Sequence, residues 1–152
     1  MAQIKGKRFN NPRTPMMNGS GIDLIDSAVL ATNPTVNDTM DFLLPKGVQM
    51  SRLGFYLPDL DASTGIAAKV GWYPVVGTTA TLNGVANTAP SDTYFRAAGA
   101  FGQAAGLVEC GFVPCVFEED VMIRITWTAQ ASGAFTAGEI WCMVAGAYLG
   151  VR

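Results

Sequence analysis

Hydrophobic and polar residues alternate with a period of two along much of the chain, which is the spacing of strands rather than helices. The clearest run is VMIRITWT, in which Val121, Ile123, Ile125 and Trp127 alternate with Met122, Arg124, Thr126 and Thr128. A turn of Ala, Ser and Gly leads from it into EIWCMVAGAYLG, so the two runs read as a hairpin. The same pattern puts Met40, Phe42 and Leu44 on one face of DTMDFLL, which stops at the turn PKG. In VQMSRLGFYLPD it gathers Leu53, Phe55 and Leu57, with Arg52 and Tyr56 opposite. In AAKVGWYPVV it gathers Ala68, Val70 and Trp72 until Pro74 interrupts the ladder. DTYFRAAGAF and the two short runs of GLVECGFVPCVF, split by Gly111 and Pro114, complete the set. No stretch sustains a helical period over roughly 12 residues, and glycine interrupts every candidate. The expectation is an all-β chain: a β-sandwich or jelly-roll-like body of about seven or eight short antiparallel strands.

The first 21 residues follow a different rule. Gly6, Asn10, Asn11, Pro12, Pro15, Asn18 and Gly19 break any periodicity, and such a segment cannot bury enough apolar surface to offset its own ordering entropy. Lys5, Lys7, Arg8 and Arg13 are four of the ten basic residues, and no acid precedes Asp23. Residues 1–21 therefore read as an extended basic arm, ordered against a neighbour, and residues 22–152 as one sandwich domain. Ile22, Leu24 and Ile25 would be the arm's first anchor on the body. Lys5, Lys7, Arg8, Phe9 and Arg13 are its candidate partner-binding residues.

Composition adds a constraint on the surface. Only 14% of the 152 residues are charged and 49% are apolar, against roughly 25% charged in an average soluble domain. A chain this poor in charge needs neighbours to cover its surface. Its net charge of −2 favours neither direct nucleic-acid binding nor attraction to a membrane surface. The N-terminus lacks the apolar core of a secretory signal, and the run from Ile140 to Leu149 is too short for a membrane-spanning helix. Cys110, Cys115 and Cys142 form no metal-ligand pattern and read as free thiols from a reducing place of synthesis.

Candidate chemistry is sparse. The chain has no histidine, which removes the commonest general base and metal ligand together. Asp59 and Asp61, two apart in LPDLDASTG, could suggest a calcium loop, but the six to eight oxygen ligands of such a site are not evident, so turn formation is the better reading. Glu118, Glu119 and Asp120 form either a charged strand entry or an acidic contact patch for a neighbour's basic arm. GAFGQAAG lacks the lysine of a phosphate loop. Trp72 and Tyr73 point to opposite faces, so one of them is a candidate exposed aromatic for stacking on a ligand. No catalytic residue, metal site or cofactor is expected, and the chain does not read as an enzyme.

The leader MAQIKGKRFNNP, the strand pair DFLLPKGVQMSRLGFYL and the closing strands VMIRITWTAQASGAFTAGEIWCMVAGAYL together resemble the head-decoration, or capsid cement, proteins of tailed bacteriophages. The resemblance covers most of the chain as pattern and composition, without a diagnostic motif. It implies a structural virion protein, made in the host cytoplasm, commonly a homotrimer, which binds the outer head surface. There it would contact the major capsid protein and bridge capsid subunits. The alternative keeps the jelly roll but makes it a phage tail or fibre part, or a carbohydrate-binding module.

Overall fold

A computed structural model describes residues 1–7 and 21–150. Among them there is no helix, and the strands are β1 (Gln3–Lys5), β2 (Gly21–Leu30), β3 (Thr39–Leu44), β4 (Val48–Leu57), β5 (Ala67–Pro74), β6 (Ala80–Leu82), β7 (Val85–Thr88), β8 (Ser91–Ala100), β9 (Gly106–Cys110), β10 (Cys115–Val116), β11 (Val121–Ala129) and β12 (Gly138–Tyr148). One sheet has the order β1-β3-β11-β5-β8. The other has the order β10-β4-β12-β2, with β9 also paired to β4, and β6 and β7 form a separate hairpin. The all-β sandwich is as expected, but with twelve described strands rather than seven or eight. One pair, β1 with β3, is parallel.

The alternation explains the core. Register sets Met40, Ile125 and Val70 in one inward row of the first sheet and Phe42, Ile123 and Trp72 in the next. All six side chains are buried. From the second sheet, Phe55 meets Phe42 at 6.1 Å between ring centroids and Phe101 at 5.7 Å, and Phe101 in turn meets Trp127 at 5.8 Å. These tilted and edge-on contacts join the layers through their largest side chains.

The closing strands do not form a hairpin. β11 lies between β3 and β5 in the first sheet, whereas β12 lies between β4 and β2 in the second. Their connection, residues 130–137, crosses from one layer to the other. The connections 31–38, 58–66 and 101–105 also cross between layers. Backbone bonds lace 58–66 to both 101–105 and 130–137: Leu60 donates to the Gly102 carbonyl at 2.9 Å, and Thr136 donates to the Leu60 carbonyl at 3.0 Å. Asn33, from 31–38, exchanges two hydrogen bonds with the backbone of Ala131.

Asp61 sits at the centre of this lacing. Its two oxygens accept the N–H groups of Ser63, Gly65, Ile66, Ser132 and Gly133 at 2.9–3.1 Å. The side chain is buried, at 1% exposure. Burial alone would push its carboxyl up, but the N–H donors outweigh burial and hold it at about 2, below the ordinary 3.8.

The N-terminal residues belong to the body rather than to a free arm. Gln3–Lys5 pair with Thr39–Asp41, Gly6 donates to the Asp41 carbonyl at 2.7 Å, and Lys7 donates to the Ser27 carbonyl at 2.9 Å. This segment therefore steps from an edge of one sheet to an edge of the other and closes one side of the sandwich. Gly6 is required there, because a Cβ would lie 2.7 Å from the Phe42 ring and closer still to Asp26. Of the expected arm, residues 1–7 thus lie along the body, and residues 8–20 lie outside the described residues.

The stability that Asp61 contributes is complete above pH 3.8 and is lost as pH falls through about 2, because its folded-state carboxyl titrates below its unfolded one. Asp61→Asn should lower the thermal midpoint at neutral pH and flatten its fall across that acid window. Thermal unfolding followed by circular dichroism from pH 7 to pH 2 would show this, and an unchanged acid profile would contradict the assignment.

Candidate interaction surfaces

The opposite end of the sandwich is braced by the acidic run. The Asp120 carboxylate accepts the Lys46 N–H at 2.9 Å, and the Asp120 carbonyl accepts the Val75 N–H at 3.1 Å. Glu119 accepts the Thr81 N–H at 2.6 Å and its hydroxyl at 3.0 Å, and the Glu118 N–H donates to the Thr81 carbonyl at 3.1 Å. These bonds fasten the β6–β7 hairpin and the turn after β3 to the body. Two of the three carboxylates, those of Glu119 and Asp120, are therefore engaged in structural bonds, although both residues remain exposed. At the hairpin's tip, Asn83 (φ 52°) and Gly84 (φ 80°) supply the two positive φ angles of a type I′ turn.

Trp72 is fully buried, so it is not an exposed aromatic. Its ring packs on Phe117 at 4.9 Å between centroids. Tyr73 takes the outer face of the first sheet, where the Arg124 guanidinium lies 4.4 Å from its ring centroid. Arg124 also binds the Asp41 carboxylate through two hydrogen bonds of 2.6 and 2.8 Å, and Gln3 adds a third at 2.5 Å. The bond to Asp41 raises the Arg124 pKa further, so the guanidinium stays charged. Tyr73 is thus half-buried, with a fixed cation over its ring.

Of the arm residues, Lys5 and Lys7 lie among the described residues and both are exposed. Lys7 forms an ion pair with Glu139 and lies 5.9 Å from the Trp141 ring centroid. That pair and a hydrogen bond from the Ser27 hydroxyl lower the Glu139 pKa. Arg8, Phe9 and Arg13 lie outside the described residues.

Other candidate groups are occupied or muted. Both oxygens of Asp61 face backbone donors, while Asp59 is exposed. No cluster of three or more Cys, Asp or Glu among the described residues is placed to hold a metal ion. Burial pushes the Cys110 and Cys115 thiols up to about 11 and Cys142 well above its usual value, which leaves all three protonated and weakly nucleophilic at neutral pH.

A surface not singled out from the sequence covers the outside of the second sheet. Register aligns Leu107, Tyr56 and Trp141 in one outward row across β9, β4 and β12. Gly54, Met143 and Ile25 form the next row across β4, β12 and β2. Leu107 and Tyr56 are each 51% exposed, Ile25 43% and Trp141 40%, so a continuous apolar face meets solvent. Gly54 leaves a hollow of about 300 Å³ in it, bordered by Leu107, Met143, Arg52, Glu109 and Asp23.

This geometry defines a two-sheet β-sandwich with an apolar outer face. The same fold occurs in a chain of the structure entitled "Capsid of Ralstonia phage GP4", with a TM-score of 0.71 and 18% sequence identity, over 99% of this chain and 100% of that one. No protein-family model and no curated protein sequence matches the chain.

The two adjacent aromatics should separate cleanly on substitution. Trp72→Ala should cost about 3–5 kcal/mol of unfolding free energy, as large-to-small changes in a packed core do. Tyr73→Ala should cost less than about half of that, since the ring is only partly buried. Chemical denaturation measures both, and equal losses would contradict the placement.

Proposed function

We propose that the chain is a structural component of a phage virion, bound to the outside of an icosahedral head and stabilising the shell by bridging capsid subunits. The observation that carries this reading is the full-length likeness to a chain of a phage capsid structure. Three features support it. The surface is poor in charge and includes an exposed apolar sheet face. The Asp61, Glu119 and Asp120 carboxylates brace the body internally. The segment between Lys7 and Gly21 carries Arg8, Phe9 and Arg13 without an acid, chemistry that suits an acidic neighbour and speeds encounter with it. Repetition over a lattice multiplies modest single contacts into strong retention.

The test uses the full chain and heads prepared without it. Wild-type protein should cosediment with heads and raise their thermal disruption temperature. The triple variant Arg8→Ser, Phe9→Ser, Arg13→Ser should keep its own unfolding midpoint but bind at least about tenfold more weakly. Equal binding by the variant would remove the segment from the contact. Failure of the wild type to bind heads at all would overturn the reading.

A further inference from the structure

We infer that Asn83 is a deamidation site gated by the β6–β7 hairpin: conversion is slow while the hairpin is docked on β10, and conversion to isoaspartate releases the hairpin permanently. The chemistry needs neither cofactor nor partner. The Gly84 nitrogen attacks Asn83 Cγ, a C–N bond closes a succinimide ring, and the side-chain amide leaves as ammonia with the proton that Gly84 gives up. Water then opens the ring at either carbonyl, which yields aspartate or isoaspartate. Glycine in second place favours closure, because it sets no side chain beside the attacking nitrogen. Both residues are exposed and border a hollow of about 260 Å³, so water reaches the ring.

The docked turn holds the reacting atoms apart. Closure requires the Gly84 nitrogen to eclipse Asn83 Cβ about the Cα–C bond. Asn83 (φ 52°) and Gly84 (φ 80°) form a type I′ turn, whose first central residue has a ψ of about +30° and so sets that nitrogen nearly opposite Cβ. The side chain is pinned as well. Its Oδ1 accepts the Val116 N–H at 2.9 Å, while the Asn83 N–H donates to the Val116 carbonyl at 2.9 Å. Behind the tip, Leu82 bridges to Phe117, and Thr81 is bound by Glu118 and Glu119. Deamidation therefore waits for the hairpin to open, and its rate is the intrinsic rate multiplied by the open fraction.

Conversion then opposes redocking. Isoaspartate carries the main chain through Cβ and lengthens the turn, so the Leu82–Val85 pairing and the paired bonds to Val116 lose their register. The new carboxylate also borders the hollow that Glu118 lines, where like charge disfavours the docked state. The aromatic contacts between the two main sheets lie elsewhere and stay in place. The turn is thus a slow, one-way switch acting on the hairpin alone.

Peptide mapping by mass spectrometry on the full chain, aged at neutral pH, measures conversion at Asn83 separately from the other Asn-Gly pair, Asn18-Gly19. A synthetic peptide of the turn, TLNGVA, supplies the ungated rate. The wild type should convert at least about tenfold more slowly than the peptide. Glu119→Ala removes both bonds to Thr81 without touching the turn and should speed conversion at least about threefold. Glu119→Gln, which keeps an acceptor, should stay near the wild type. In the isolated isoaspartate form, hydrogen exchange at the Asn83 and Val116 amides should quicken while near-ultraviolet circular dichroism shows the body still folded. A wild type that converts as fast as the peptide, a Glu119→Ala rate equal to the wild type's, or an isoaspartate form with unchanged exchange at Val116 would each overturn the inference. So would a Glu119→Ala chain that never converts while the peptide does. None of these outcomes bears on head binding, so the virion reading stands or falls separately.

Discussion

Backbone N–H groups at the points where the chain crosses between layers need acceptors, and carboxylates supply many of them. In this sandwich most connections between consecutive strands change sheet, so both ends are crowded with chain that cannot join a ladder. Unpaired backbone donors in such positions cost free energy comparable to a lost hydrogen bond. Asp61 gathers five of them from two connections, and Asp38 accepts those of Ala2 at 2.5 Å and Thr35 at 2.8 Å. Glu119 and Asp120 perform the same task at the other end. The layers can then face each other in a fixed register, which the aromatic contacts between Phe42, Phe55, Phe101 and Trp127 require.

The strand pattern was legible where alternation was strict. Met40, Phe42 and Leu44, then Leu53, Phe55 and Leu57, then Val121, Ile123, Ile125 and Trp127 all face inward. Alternation reports which face of a strand is buried, but not which strand lies beside it. The same in–out pattern therefore served a hairpin reading of residues 121–149, although β11 and β12 occupy different layers. The connection of eight residues, 130–137, is longer than the two- to five-residue loops that usually close a hairpin, and this was the overlooked signal. The β6–β7 hairpin was missed for the opposite reason. Its strands are short and rich in small residues, although Asn83-Gly84 is a strong local turn signature.

The surfaces were less legible than the core. Tyr56 could be placed outward by register with Arg52, but nothing local indicates that Leu107, Trp141 and Ile25 gather beside it. They come from four strands far apart in sequence, joined only by the pairing order β9-β4-β12-β2. The acidic run Glu118–Asp120 shows the converse. Three adjacent acids draw attention as a patch, yet the Glu119 and Asp120 carboxylates bind Thr81 and the Lys46 backbone, which no local pattern identifies.

The internal use of charge connects the fold to its exterior. The chain has twelve acids, and Asp38, Asp41, Asp61, Glu119, Asp120 and Glu139 all bind groups of their own body. On the basic side, Lys7, Arg52, Lys69 and Arg124 are held in ion pairs. Charge already engaged in this way is less able to repel a neighbouring copy or to surround the exposed apolar residues with a strongly hydrated rim. The bonds that close the ends of the sandwich thus also leave its outer sheet face suited to association. Internal bracing and an outer face open to association follow from one distribution of carboxylates.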